Sequence, residues 1–378
     1  MYEKIQNIRE ELNSYFLERQ NEIDLTLVSI LSRKHLLLLG TWGIAKSQLC
    51  RAVASHIEGA NYFEWLLTKF TTPEELFGVL DISKLEQGIY ERKIEGKLPT
   101  SHFAFLDEIF KSNSAILNSL LTIINERIFY NNSTPVKVPL ISLFSASNEL
   151  PEEEEGLQAL YDRLVLRTVV KPISDYSNLQ KLLQLPEQYT PKTKISLQEL
   201  QQIHQEVSKM PFDNAVEGLL IIKRKVQNEG IFISDRRLKQ SVSILRAYAY
   251  LQGHSEVLSD DLAILRFVFW DNPEDMSKVA PIILEIANPF TKKANEYKDA
   301  LDEMKINITK YNEVSPEVIE IYNKTLRAIR ELKKLKKDAE NLNKDTREIE
   351  KILEEYINFK NVTADKILNV APITSSEN

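Results

Sequence analysis

The sequence predicts an α/β domain built on a parallel sheet, followed by an all-helical region and a final segment of long charged helices. Three observations carry this. The apolar runs Leu36–Leu39, Phe103–Leu106 and Leu140–Phe144 each end in polar residues and alternate with helical patterns. That is the signature of strands buried on both faces and joined by right-handed crossovers. From about Ile195 to Pro273 the apolar periodicity is helical throughout, and from about 291 to 360 Gly and Pro nearly vanish while Lys and Glu crowd the polar faces.

Taken in order, residues 1–33 read as helix. Ile5, Ile8, Leu12 and Phe16 share one face and Ile23, Leu27 and Ile30 continue it. Leu36–Leu39 is a short buried strand that runs into Gly40, and the helix after it turns Leu49, Val53 and Ala54 inward. Ile116, Leu117, Leu120, Leu121, Ile123 and Ile124 form a strongly apolar helix. A hairpin over Phe129–Val138 follows, with its turn at Asn131-Asn132-Ser133. The acidic run Glu152–Glu155 reads as a solvated loop. Further on, Ser234 or Asp235 caps a helix that carries Leu238, Val242 and Leu245.

Beyond a boundary at Asn288-Pro289, Ala328, Leu332, Leu335, Ala339, Leu342, Thr346, Ile349, Leu353 and Tyr356 follow a 4-3-4-3 spacing. Such a seam fits a helical hairpin or three-helix bundle within one chain, or a coiled coil between chains. The expected domains are 1–175 (α/β core), 176–288 (helical), 289–370 (helical hairpin or bundle) and a disordered tail at 371–378.

At 378 residues, two or three domains are expected. A net charge of -7 gives no electrostatic footprint for duplex DNA or an anionic membrane. No apolar run near the start is long enough for a bilayer or resembles a secretion signal. Cys50 is the single cysteine, so no internal disulfide can form, which fits a reducing cytoplasm. His35, His56, His102, His204 and His254 show no metal-ligand spacing.

Gly40-Thr41-Trp42-Gly43-Ile44-Ala45-Lys46-Ser47 fits the phosphate-binding pattern G-x-x-x-x-G-K-[ST] with Ala45 in place of the second Gly. The chemistry needs inward-pointing N–H groups ahead of a helix N-terminus. Lys46 then supplies a cation to the β- and γ-phosphates and Ser47 a hydroxyl to Mg²⁺. The extra methyl of Ala45 is tolerated if its φ is negative, and Trp42 is expected on the outside of the loop. At the end of the second apolar strand Asp107 is placed to hold Mg²⁺ and Glu108 to polarise an attacking water. At the end of the third, Asn148 can orient that water. Arg163 and the pair Arg236-Arg237 are candidates for neutralising a transferring phosphoryl group, although Arg167, Arg224 and Arg246 lie nearby in no motif.

Taken together, these residues resemble the MoxR branch of the AAA+ ATPases. The nearest group is RavA, regulatory ATPases that act with a von Willebrand factor A-type partner. The stretches that carry the resemblance run from Leu38 to Ser47, from Gly96-Lys97-Leu98-Pro99 into Phe105-Leu106-Asp107-Glu108-Ile109, and through Ala115-Ile116-Leu117-Asn118 and Asn125-Glu126-Arg127. Ala146-Ser147-Asn148-Glu149-Leu150-Pro151, Leu160-Tyr161-Asp162-Arg163 and Ser234-Asp235-Arg236-Arg237 complete them.

The resemblance implies a P-loop AAA+ core, an all-α lid and a separate C-terminal helical segment. Gly40–Ser47, with Gln48, would hold ATP, and Ser47 and Asp107 would hold Mg²⁺. Lys46, Glu108 and Asn148 would act in hydrolysis, Arg163 would serve as an arginine finger toward a neighbouring subunit, and Arg236 as sensor 2. The segments Phe77–Lys97 and Ile128–Val138 match the family's helix-2 insert and pre-sensor-1 hairpin, which face the pore or the substrate. A homo-oligomer, a hexameric ring, and a protein client remodelled in a chaperone-like manner are further implied.

Two departures stand out: Trp42 where the family carries Pro, and no strand-rich stretch of the kind RavA members insert after the lid. A nucleic-acid motor on the same fold is the first rival, carried by Arg127, Phe129, Tyr130 and Lys137 on the hairpin and opposed by the acidic pI. An ATP-binding scaffold without turnover is the second, opposed by the intact Lys46, Asp107, Glu108 and Asn148.

Overall fold

The computed structural model describes residues 1–151, 155–308, 310–311, 315–342 and 344–368. The chain opens with two helices rather than the one expected over 1–33. α1 (Tyr2–Tyr15) buries Ile5, Ile8 and Leu12, and α2 (Gln20–Ser32) is buried nearly all round. The break falls at Glu18, whose φ of 57° no helix interior accommodates. Its carboxylate instead receives the N–H groups of Ser174 and Asp175, at 2.9 and 3.0 Å. A long-range contact ends the helix there, and local periodicity does not report it.

The chain continues through β1 (Leu36–Leu39), α3 (Lys46–Ser55), β2 (Ile57–Glu58), β3 (Tyr62–Leu66) and the short helices α4 (Pro73–Phe77) and α5 (Ile82–Leu85). Next come β4 (Phe103–Asp107), α6 (Ser114–Glu126), the hairpin β5 (Ile128–Asn131) and β6 (Thr134–Lys137), β7 (Ser142–Ser147), α7 (Glu155–Arg163) and β8 (Leu166–Val169). β3, β4, β7, β1 and β8 lie side by side in that order, all parallel. All four leucines of β1 are buried, as a central strand covered on both faces requires. The pairs Leu39↔Ser147 and Leu106↔Ser145 bring the carboxyl ends of β1, β7 and β4 to one edge. Ligands bind at that edge in open α/β sheets.

The expected hairpin forms, with Asn132 and Ser133 in its turn at φ 48° and 63°. Asn131 stitches it to the 77–97 insert. Its side chain accepts from Arg92 N–H at 2.8 Å and donates to Arg92 O at 3.1 Å, while Phe77 stacks on Phe129.

The helical region holds α8 (Tyr176–Leu182), β9 (Ile195–Ser196), α9 (Leu197–Lys209), α10 (Val216–Asn228), α11 (Asp235–Gln252), a 3₁₀ stretch at Ser259–Phe267 and α12 (Met276–Ala287). It is not helical throughout, because β9 pairs in parallel with β2 and ties this region to the core. Ser234 is the cap of α11, its hydroxyl accepting from Arg237 N–H at 3.1 Å.

α13 (Pro289–Ile308), α14 (Pro316–Asn341) and α15 (Arg347–Leu368) pack around a core of their own that includes Leu301, Leu332, Ile352 and Tyr356. The 4-3-4-3 seam therefore belongs to two packed helices, and it runs across the break between Asn341 and Arg347. Leu342, expected on the seam, is 64% exposed. The bundle docks on the preceding region at Asp260, which accepts from Asn288 Nδ2 at 3.3 Å, Asp345 N–H at 2.8 Å and Lys344 Nζ. Glu152–Glu154 of the acidic run and the tail at 371–378 lie outside the described residues.

Candidate active site

The loop from Gly40 to Ser47 bends through three left-handed residues. Gly40, Gly43 and Ala45 have φ values of 141°, 77° and 64°. A Cβ on Gly40 would lie 2.5 Å from Val170 O, so only glycine fits there. The expectation of a negative φ at Ala45 is overturned: its methyl sits in the left-handed region, at a cost of about 1–2 kcal/mol. The same bends turn the backbone donors inward. Among the described residues nothing accepts from the N–H groups of Gly43, Ala45, Lys46 or Ser47, at the N-terminus of the ten-residue α3. A run of N–H groups in this conformation is an anion cradle. Trp42 stands in solvent at 82% exposure, and Gln48 Nε2 donates to Tyr15 OH on α1 at 3.3 Å.

Lys46, Asp107, Glu108 and Asn148 meet beside this cradle. Lys46 Nζ donates to Gly40 O, to Thr41 O at 3.1 Å and to Asn148 Oδ1 at 3.5 Å. Asn148 Nδ2 donates to Glu108 Oε1 at 2.9 Å, and Asp107 Oδ1 accepts from Glu108 N–H at 3.0 Å. Glu108 itself has φ 52°, a second strained position in the site. Its Oε2 is buried and accepts no hydrogen bond, although Lys111 Nζ lies 3.3 Å away as an ion partner.

Burial lowers the Lys46 ammonium from the ordinary lysine range, with Asp107 and Glu108 pulling the other way, and burial raises the Asp107 carboxyl. One cation beside two carboxylates leaves the pocket unable to take a triphosphate alone. A divalent ion is the natural complement, and Mg²⁺ needs only one or two protein oxygens beside phosphate. Ser47 and Asp107 fit that role. Among the described residues no three His, Cys, Asp or Glu side chains converge on a metal-sized site.

The arginines divide. β8 pairs with β1 in parallel from Leu36↔Leu166 to Leu39↔Val169, so Arg163 precedes β8 at the edge opposite Gly40. Its Nε donates to Asn125 Oδ1 at 3.0 Å. Arg237 is buried and donates to Asp271 Oδ1 at 2.8 Å, whereas Arg236 is half exposed and lies 3.6 Å from Asp162. The sequence missed Asp271, which also binds Arg167 at 3.0 Å. The available signal was Arg167 itself, a cation inside an apolar strand, which is fully buried here and demands a partner. All five histidines are packed against protein groups; His35, His56, His204 and His254, for example, bond to Leu143 N–H, Tyr189 OH, Ile30 O and Asp261.

Residues 3–210 match the family model for the MoxR domain of MoxR–vWA–beta-propeller ternary systems. The chain belongs to the MoxR family of AAA+ ATPases. An AAA lid domain model matches residues 214–283 of this MoxR chain, and the bundle formed by α13, α14 and α15 lies beyond both matches. Two uncharacterized proteins of Methanocaldococcus jannaschii are each 47% identical to it. They align over 95% and 94% of this chain and 96% and 97% of their own length. A structural protein of the Acidianus two-tailed virus is 30% identical over 59% of this chain and 39% of its own length. A crystal structure of a candidate ATPase from Cytophaga hutchinsonii superposes with a TM-score of 0.61 at 18% identity, covering 76% of this chain and 95% of that one, and so shares the fold. Among the described residues no helix is long and apolar enough to cross a membrane.

Proposed function

We propose that this MoxR protein hydrolyses Mg-ATP in a homo-oligomeric ring, a hexamer, and uses the cycle to remodel a protein partner in a chaperone-like manner. The observation that carries the reading is the meeting of Lys46, Glu108 and Asn148, drawn from three separate segments, beside an anion cradle with unused N–H groups. In this reading the N–H groups and Lys46 bind the phosphates, and Asn148 holds Glu108 in place. Glu108, as general base, takes a proton from the attacking water at its carboxylate. Bound Mg²⁺ would neutralise charge on the phosphates, held by Ser47 and Asp107.

The placement of Arg163 at the far edge of the sheet supports a role toward a neighbouring copy's nucleotide, since it cannot serve its own. The exposed Arg236 is the better sensor 2 candidate, because Arg237 is engaged with Asp271. A von Willebrand factor A-type protein is the partner class we favour, because the matching family model is defined by systems that pair the two. The stitched insert and hairpin expose Val79, Ile82, Leu85, Tyr90 and Tyr130, apolar side chains suited to contacting a protein client.

The test is steady-state ATP hydrolysis by the intact chain beside Lys46→Ala, with nucleotide retention measured in parallel. Loss of both in the variant is expected. A variant that binds and turns over ATP like the parent overturns the reading.

A further inference from the structure

Arg33 and Lys34 precede β1, Arg127 ends α6 and Arg163 ends α7. All four side chains line one cleft of about 250 Å³, together with Asn125 and with Gln240 of α11. The cleft lies at the amino end of β1, roughly 13 Å along the strand from Gly40 by the rise per residue. Among the described residues no carboxylate lines it.

Three of the cations are partly buried with surroundings that leave their charge unmatched, and Arg33 is exposed beside them. Arg127 staples α6 to α2, donating to Ile123 O, Ile124 O and Arg33 O, yet every acceptor is neutral. Burial and the Arg33 charge bring it down to about 10. His35 adds no charge, because burial and Arg127 hold it well below the ordinary histidine range. Arg163 is held by Asn125 and Ala159 O. Lys34 is lowered by burial and by its two arginine neighbours. The carboxyl ends of α2 and α6 converge here, but each offers only about half a negative charge. Four cations lining one cleft, three of them partly buried, call for an anion.

We propose that this cleft is the receiving half of an intersubunit phosphate site. Arg33 and Lys34 join Arg163 on the phosphates of the nucleotide held by the adjacent copy's P-loop. The proposal rests on the ring-ATPase reading above. Three cations, rather than one arginine finger, would then meet the triphosphate, while Arg127 stays bonded to backbone carbonyls.

The experiment uses the full-length protein. The double variant Arg33→Gln/Lys34→Gln is expected to bind a fluorescent ATP analogue at its own P-loop as the parent does, while kcat falls about 10–100-fold. The charge-conserving pair Arg33→Lys/Lys34→Arg is expected to keep most of kcat, which a packing role would not predict. Mixing the double variant with Lys46→Ala copies, which retain both cations, should restore turnover. An unchanged kcat in the double variant overturns the proposal. So does a fall that mixing does not relieve, accompanied by loss of a tripolyphosphate-induced rise in Tm, since the cleft would then serve a free polyanion. If Lys46→Ala hydrolyses ATP normally, the ATPase reading fails first, whatever the cleft does.

Discussion

Asn148 donates through Nδ2 to Glu108 Oε1 across 2.9 Å, linking the end of β7 to the end of β4. The bond fixes one carboxylate oxygen and leaves Oε2 without a hydrogen bond. A general base needs one oxygen oriented and the other free to accept a proton, and here the second has only the Lys111 ammonium at 3.3 Å beside it. Glu108→Gln keeps the bond's geometry but removes the basicity. It is expected to bind nucleotide like the parent and to lose about 10²–10³ in turnover. Asn148→Ala frees the carboxylate to rotate and is expected to lose about tenfold or more. Single-turnover hydrolysis with radiolabelled ATP measures both. Equal rates for Glu108→Gln and the parent would remove Glu108 from the chemistry.

Much of this arrangement was legible in the sequence, because it is local. The apolar runs that became β1, β4 and β7 and the polar residues at their ends sit within a few positions of each other. Long-range contacts were not legible. Nothing near Glu18 announces that its carboxylate binds Ser174, so one helix was expected where two form. The 4-3-4-3 seam was real, but its period cannot say that one helix ends at Asn341 and another begins at Arg347. The Ala45 conformation depends on how the whole loop closes, which composition does not encode.

That conformation gives a prediction of unusual sign. Replacing alanine by glycine inside a helix destabilises, whereas at the α3 N-cap with φ 64° glycine relieves the crowding of the methyl group. Ala45→Gly is expected to raise stability by about 0.5–1 kcal/mol in urea denaturation, after the extra unfolded-state entropy of glycine is counted. A loss of similar size would show that the loop is not left-handed there in solution.

Arg236 and Arg237 are adjacent in sequence and differ in surroundings. Arg237 is buried against Asp271, which also pairs with the fully buried Arg167. Burial raises the Asp271 carboxyl, but the two arginines outweigh it and the net shift is downward. Removing Arg237 leaves Asp271 with one partner fewer, and because Asp271 keeps some solvent contact the expected cost is about 2 kcal/mol. Arg236→Ala is expected to move stability by no more than about 0.5 kcal/mol and to slow ATP turnover instead. Thermal melts and ATPase rates on the two single variants separate these effects. A large drop in Tm for Arg236→Ala would contradict the assignment.

Acid should destabilise this protein through its buried histidines. Burial holds His204 down at about 4, against 6.5 unfolded, while its ring bonds to Ile30 O. Between those values the unfolded chain takes up a proton that the folded chain refuses. Stability therefore rises with pH across this window, is complete above about 6.5, and is lost as pH falls toward 4. His35 and His56 are also lowered by burial and act with the same sign. His254 acts oppositely: its bond to Asp261 raises it, so its contribution is present in acid and fades as pH rises through its folded value. Burial pulls the Glu11 and Glu18 carboxyls up, but their hydrogen bonds outweigh it and hold both below the ordinary carboxylate value, so their contributions are also lost as pH falls. His204 alone accounts for up to about 3 kcal/mol. His204→Gln keeps a donor for Ile30 O and cannot titrate, so its denaturation midpoint should fall less steeply than the parent's between about pH 6.5 and 4.5. Parallel pH profiles for the two proteins would show that His204 is protonated equally in the folded and unfolded chains.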